Sequence, residues 1–200
     1  MKRPNRLRAA FTLIELMVVI AIVGITLGGA YYILGSGTEA SERANSTGRQ
    51  LAGMVENGLR YRNLHKEMAW VEYDFDNQVA LFYVQKELKD GDTLDDVREN
   101  EDEYMEQILA IPFGDPEDPI QSAIWLDGIV TYEGVEYRDG SHLIRFDPAG
   151  SLVGHIAYIR HKPINEGDPD GFVTIELNPV SELATLYRFE KLIENARDMR

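Results

Sequence analysis

Four histidines, a serine beside one of them and a few carboxylate-rich stretches are the residues of this 200-residue chain whose types could support chemistry. Asp139-Gly140-Ser141-His142 sets a hydroxyl next to an imidazole, the pair that nucleophilic catalysis uses. Neighbours on a strand point to opposite faces, however, and no G-x-S-x-G turn is present to expose the serine. His65, His142, His155 and His161 lack the i, i+4 spacing of a helical zinc site, and neither a phosphate loop nor a dinucleotide fingerprint occurs. Glu166-Gly167-Asp168-Pro169-Asp170-Gly171 alternates acids ahead of a glycine as calcium loops do. Glu176 then stands one position short of the bidentate ligand and Pro169 interrupts the run, so Glu166, Asp168 and Asp170 read as a metal-free hairpin loop. With no cysteine, thiolate metal sites and disulfides are excluded. A net charge of -14 argues against nucleic acid, whose binding needs a basic footprint. The expectation is a non-enzymatic protein with no cofactor.

One carboxylate stands out by its position. Residues 11–34 are apolar apart from Glu15, and the 19 residues from Leu16 to Leu34 carry no charge. At 1.5 Å per residue a helix over 11–34 is about 36 Å long, enough to cross a hydrocarbon core. Lys2, Arg3, Arg6 and Arg8 precede it while Glu39 and Glu42 follow, which predicts a cytoplasmic N-terminus and a translocated C-terminal part. Glu15 inside a bilayer costs about 2.5–3.5 kcal/mol and asks for a partner. A cut before Phe11 would create an α-amino group at the head of the same helix, which Glu15 of a neighbouring subunit could neutralise. Gly24 and Gly28 form G-x-x-x-G, the spacing that lets membrane helices approach closely.

The stretch Ala10-Phe11-Thr12-Leu13-Ile14-Glu15-Leu16 and the apolar residues after it resemble the N-terminal signal of type IV pilins and type II secretion pseudopilins. The resemblance implies removal of residues 1–10 by prepilin peptidase, N-methylation of Phe11 and an assembly role for Glu15. It also implies partners: other pseudopilins, in a minor tip complex and as major subunit, and an inner-membrane assembly platform. The family's usual residue before the cut is Gly, and this chain has Ala10. A permanently anchored periplasmic binding domain is the competing reading, and it would need no such cut.

The elements that position these groups follow from periodicity. Ala40, Ala44, Thr47, Leu51, Val55, Leu59 and Arg62 recur every three or four residues, which predicts an amphipathic helix continuing over 35–65. After Met68 the period becomes two. Strands are predicted over 70–75 and 79–84, joined at Asp76-Asn77-Gln78, and over 128–137, 142–146, 152–159, 172–177 and 184–189. Residues 86–107, with ten acids and three bases, read as an acidic insertion forming a solvated loop or short exposed helix. The expected fold class is α+β: leader 1–10, membrane helix 11–34, its continuation 35–65, and a periplasmic domain over 66–200 with the helix on an antiparallel sheet. Leu143-Ile144-Arg145-Phe146-Asp147-Pro148-Ala149-Gly150, followed by a strand, a loop and a hairpin around Asn178-Pro179, is similar to the C-terminal region of H-type minor pseudopilins, the GspH/FimT group.

Overall fold

The computed structural model describes residues 40–114, 123–163 and 170–190. Helix α1 occupies 40–60 and runs into a π-helical turn, Tyr61–His65, that closes at Lys66 in the left-handed region (φ 60°). Its predicted stripe is the buried one: Ala40, Ala44, Leu51, Val55 and Leu59 face the core, joined by Met54, while Glu42, Arg49, Glu56 and Arg60 stay exposed. Residues 35–39 of the predicted helix lie outside the described residues, as does all of 11–34.

Nine strands follow, with two short helices after the second: β1 Ala69–Asp74, β2 Val79–Gln85, α2 Leu94–Glu99, α3 Glu101–Tyr104, β3 Met105–Pro112, β4 Ile124–Thr131, β5 Glu136–Tyr137, β6 Ser141–Phe146, β7 His155–His161, β8 Gly171–Asn178 and β9 Leu183–Tyr187. They form two antiparallel sheets, ordered β3-β2-β1-β6 and β5-β4-β7-β8-β9. Sequence predicts one sheet because alternation gives the face a residue points to and says nothing of which strand it pairs with. Both sheets turn apolar residues to one core shared with α1, including Val71, Phe82 and Ile144 from the first and Ile129, Ile159 and Ile175 from the second. The first sheet's other face is covered around Trp70, where Val97 and Leu94 of α2 pack. A capping box, Thr93 with Asp96, starts α2.

The β1–β2 hairpin appears where predicted, in register from Ala69 opposite Val84 to Asp74 opposite Val79. The predicted strand 128–137 is instead a hairpin of β4 and β5. Gly134 at φ 85° donates its N–H to the Thr131 carbonyl at 2.8 Å, and Glu133-Gly134 was the turn signal. The strand predicted from 152 begins at His155, since 151–154 belong to the connection. The acidic segment forms α2 and α3, as a short exposed helix would, but its last residues, Met105 to Gln107, open β3, a strand that the charge run hid.

Two polar contacts tie the sheets together. The Gln78 side chain, on the β1–β2 turn, accepts the Leu126 N–H at 2.8 Å and donates to the Leu126 carbonyl at 3.1 Å, standing in for a strand partner beside the β4 bulge. Deeper in, the Tyr73 hydroxyl on β1 and His155 Nε2 on β7 lie 2.8 Å apart, both fully enclosed. His155 Nδ1 faces the Val153 carbonyl at 3.4 Å, which can only accept, so Nδ1 carries the proton and Nε2 accepts from tyrosine. Burial pushes the His155 imidazole down to about 4, with His142 a lesser contributor through its charge, and pushes the Tyr73 phenol up.

A base held neutral by the fold binds its proton first in the unfolded chain. Stability should therefore be flat above about pH 6.5 and decline between there and pH 4, by on the order of 3 kcal/mol from His155 alone. Chemical denaturation across that range should show the slope, and His155→Gln, which keeps a polar partner for Tyr73, should remove most of it. An unchanged slope in the variant would place the pH dependence elsewhere.

Candidate functional site

Ala10, Phe11, Glu15, Gly24 and Gly28 lie outside the described residues, as do Glu166 and Asp168. The third candidate of the acidic loop, Asp170, is described and sits 3.8 Å from the Arg160 guanidinium. Among the described residues no cluster of His, Asp or Glu is placed to hold a metal ion. Ser141 and His142 are not brought together: the serine hydroxyl donates to the Glu72 carboxylate, whereas His142 stacks on the Tyr137 ring with centroids 3.7 Å apart. His142 edges an open cleft of about 330 Å³ between β5, β6 and the loop after β6, with Glu133 and Arg145 on its walls. Burial, then the Arg145 charge, lowers the His142 pKa. His65 faces Tyr61 at the helix end, and His161 Nδ1 lies 2.8 Å from the Lys162 carbonyl. Each histidine thus has a local partner, and none of these contacts is to a serine or threonine hydroxyl.

What the structure does assemble is a polar knot at the end of α1, where the chain leaves the helix that began near the predicted anchor. Arg62 completes the apolar stripe by position, yet its guanidinium reaches two loops. Nε donates to the Asp147 carbonyl at 3.0 Å, Nη2 to the Gly150 carbonyl at 3.2 Å and Nη1 to Glu182 Oε1 at 3.0 Å. Asn63 donates to the other Glu182 oxygen at 2.8 Å. The Asp147 carboxylate receives a two-pronged contact from Arg98 of α2, at 2.7 and 2.8 Å, and caps its own turn through the Ala149 N–H. These contacts lower the pKa of both acids: the Arg98 hydrogen bond leads for Asp147, and the Asn63 bond followed by the Arg62 bond for Glu182. The knot gathers α1, α2, the turn after β6 and the β8–β9 turn, so the segment read as H-type is held by the helix end itself.

Sequence reasoning placed Arg62 on the stripe without a role. A charge at a core spacing was the available signal, because a cation there must find acceptors. Glu176, weighed in the sequence only against a calcium loop, has a different role. Its strand position is the outward one, yet it is buried, accepting from the Tyr132 hydroxyl and from the Tyr187 hydroxyl at 2.8 Å. No spacing rule predicts that tyrosines from β9 and the β4–β5 turn converge on it.

Comparison with known proteins places the strongest signal in the N-terminal segment. Residues 5–31 match the family model described as the prokaryotic N-terminal methylation motif, a prepilin-type, type IV pilin-like signal. No curated protein and no solved structure matches the chain. Among the described residues no helix is long and apolar enough to cross a membrane; the apolar stretch of the motif lies outside them.

Arg62→Ala should destabilise the folded domain by about 1–3 kcal/mol, since two carbonyls and the partly exposed Glu182 carboxylate lose a cationic donor. Arg62→Lys should recover less than half, because an ammonium cannot supply the planar fork. Urea denaturation of the three proteins checks this, and a loss below about 0.5 kcal/mol for Arg62→Ala would show the knot to be incidental.

Proposed function

We propose that this chain is a minor pseudopilin, a structural subunit that prepilin peptidase processes and that joins a short periplasmic fibre of a type II secretion system near its tip. The observation that carries the reading is the methylation motif over residues 5–31, which contains Ala10, Phe11 and Glu15 in the order processing and assembly require. Before assembly the protein rests in the inner membrane with its N-terminus cytoplasmic and its sheets periplasmic, as the basic residues ahead of the apolar stretch direct. Its partners are then other pseudopilins, prepilin peptidase and the membrane assembly platform. A minor pilin of a type IV pilus shares every one of these features and is the neighbouring alternative.

The helix-and-sheets architecture supports a structural role over a catalytic one. Helix α1 keeps Glu42, Arg43, Arg49, Glu56 and Arg60 exposed along its back, a polar face suited to lying against other helices in a bundle. The histidines and the serine are tied into local contacts, so no reaction is assigned to them. Glu15 supports a position below the fibre's cap, because a capping subunit would have no amine above it to neutralise. H-type identity is favoured by the order of β6, the Asp147–Gly150 turn, β7 and the final hairpin.

Glu15→Ala removes a charge that the bilayer disfavours, so membrane insertion should persist. Co-purification with partner pseudopilins should instead fall by about tenfold or more, the equivalent of one lost charge pair of roughly 1.4 kcal/mol. Equal recovery of partners with the variant and the unaltered protein would remove Glu15 from assembly.

A further inference from the structure

Strand β3 ends the first sheet, and among the described residues no strand pairs with its outer side. It is the longest edge strand of the two sheets, eight residues against two in β5, six in β6 and five in β9. Edges of this length are normally blunted by charge, proline or a bulge. Here Glu106 is the lone charge, Pro112 comes only at the end, and the bulge opposite Phe82 leaves the Met105-to-Ala110 edge uncovered by any described strand. Ile108 and Leu109 are 55% and 43% exposed, so consecutive apolar side chains lie open beside backbone that no described strand pairs.

The ladder phase shows which backbone groups are free. Phe113 N–H donates to the Gln78 carbonyl at 2.7 Å, so the pairs Ala80–Ile111 and Phe82–Leu109 also turn their bonds inward. Ala110 and Pro112 then turn theirs outward, and the proline sits where no ladder bond is lost. On the other side of the bulge, Lys86 N–H donates to the Tyr104 carbonyl at 2.8 Å, which sends Met105 and Gln107 outward. The bulge leaves Ile108 as the extra residue. Met105 to Ala110 is therefore an open ladder with an apolar centre.

Its surroundings are predominantly acidic. Residues 99–112 contain Glu99, Glu101, Asp102, Glu103 and Glu106 and no lysine or arginine, and Asp102, Glu103 and Glu106 are exposed. Among the described residues two cations meet this segment: Arg145 of β6 pairs with Glu101, and the Lys86 ammonium donates to the Glu103 carbonyl at 2.7 Å. A second copy of the chain, itself of net charge -14, would bring another acidic surface to this one and be repelled.

We propose that the β3 edge is a docking site for an extended segment of a partner protein that is apolar at its centre and rich in lysine or arginine. The segment joins the first sheet as an added strand, with its main chain on the Met105-to-Ala110 ladder, its apolar residues on Ile108 and Leu109, and its cations along α3 and Glu106. This inference stands on the sheet edge and does not depend on how the N-terminus is processed.

The probe is a fluorescent nine-residue peptide of alternating lysine and valine, added to the full chain in a non-ionic detergent. Anisotropy should report salt-dependent binding, and hydrogen–deuterium exchange should slow at residues 105–110. A peptide of the same composition with a central proline, and one with glutamate in place of lysine, should each bind at least about tenfold more weakly. Ala110→Pro, which removes an outward N–H and spares the bonds to β2, should weaken binding by about the same factor. Ile108→Lys alters an exposed side chain alone and provides a variant that retains the fold; it should also weaken the basic peptide. The proposal is overturned if the proline-containing peptide binds as well as the regular one, if protection appears away from β3, if both variants bind normally, or if the chain pairs with itself through β3.

Discussion

Because Gly58 lies against the Phe146 ring and Gly48 against Val173 and Leu186, helix α1 meets both sheets at points where one methyl group would collide. A side chain begun at Gly58 would stand 2.8 Å from the ring, and one at Gly48 would stand 2.7 Å from Val173. Phe146 belongs to the first sheet, and Val173 and Leu186 to the second. The two glycines therefore set how closely a single helical face can serve two layers that share no ladder of backbone bonds. The burial of Leu51, Met54 and Val55 between these points follows from that approach, as does the continuity of one core across both sheets.

Close packing alone would leave the sheets free to slide, since apolar contact has little directionality. Three polar fasteners supply direction: Gln78 on the Leu126 backbone, Tyr73 on His155, and Arg62 on the turns after β6 and β8. They lie at a sheet end, in the interior and at the helix terminus, so together they fix the relative position of the layers. Arg62 has the widest reach, because Asp147 passes its hold on to Arg98 and α2. Helix α1 is thereby fastened at its far end to both sheets and to α2.

The helix was legible because one face must be apolar at every third or fourth residue, and the stripe from Ala40 to Leu59 meets that rule. The β1–β2 hairpin was legible through alternation on both sides of Asp76-Asn77-Gln78. Division into two sheets was not, since Val71 on β1 and Ile159 on β7 obey the same alternation and nothing local says which neighbour each strand takes. Gly48 and Gly58 look like weak points in a helix until Phe146 and Val173 are seen against them. Glu176 occupies the outward position of its strand, and only the convergence of Tyr132 and Tyr187 explains its burial. The acidic run concealed β3 because charge density argues for solvent, and an edge strand satisfies that demand on one side while pairing on the other.

The methylation motif over residues 5–31 precedes this domain in the chain. The account therefore stands or falls on whether residues 1–10 are removed. Intact mass and N-terminal peptide sequencing of the protein extracted from membranes measure this directly. The account predicts a chain beginning at an N-methylated Phe11, with a longer form accumulating when prepilin peptidase is absent. A chain that keeps Met1 to Ala10 in the presence of the peptidase would contradict it, and would leave a permanently anchored domain in its place.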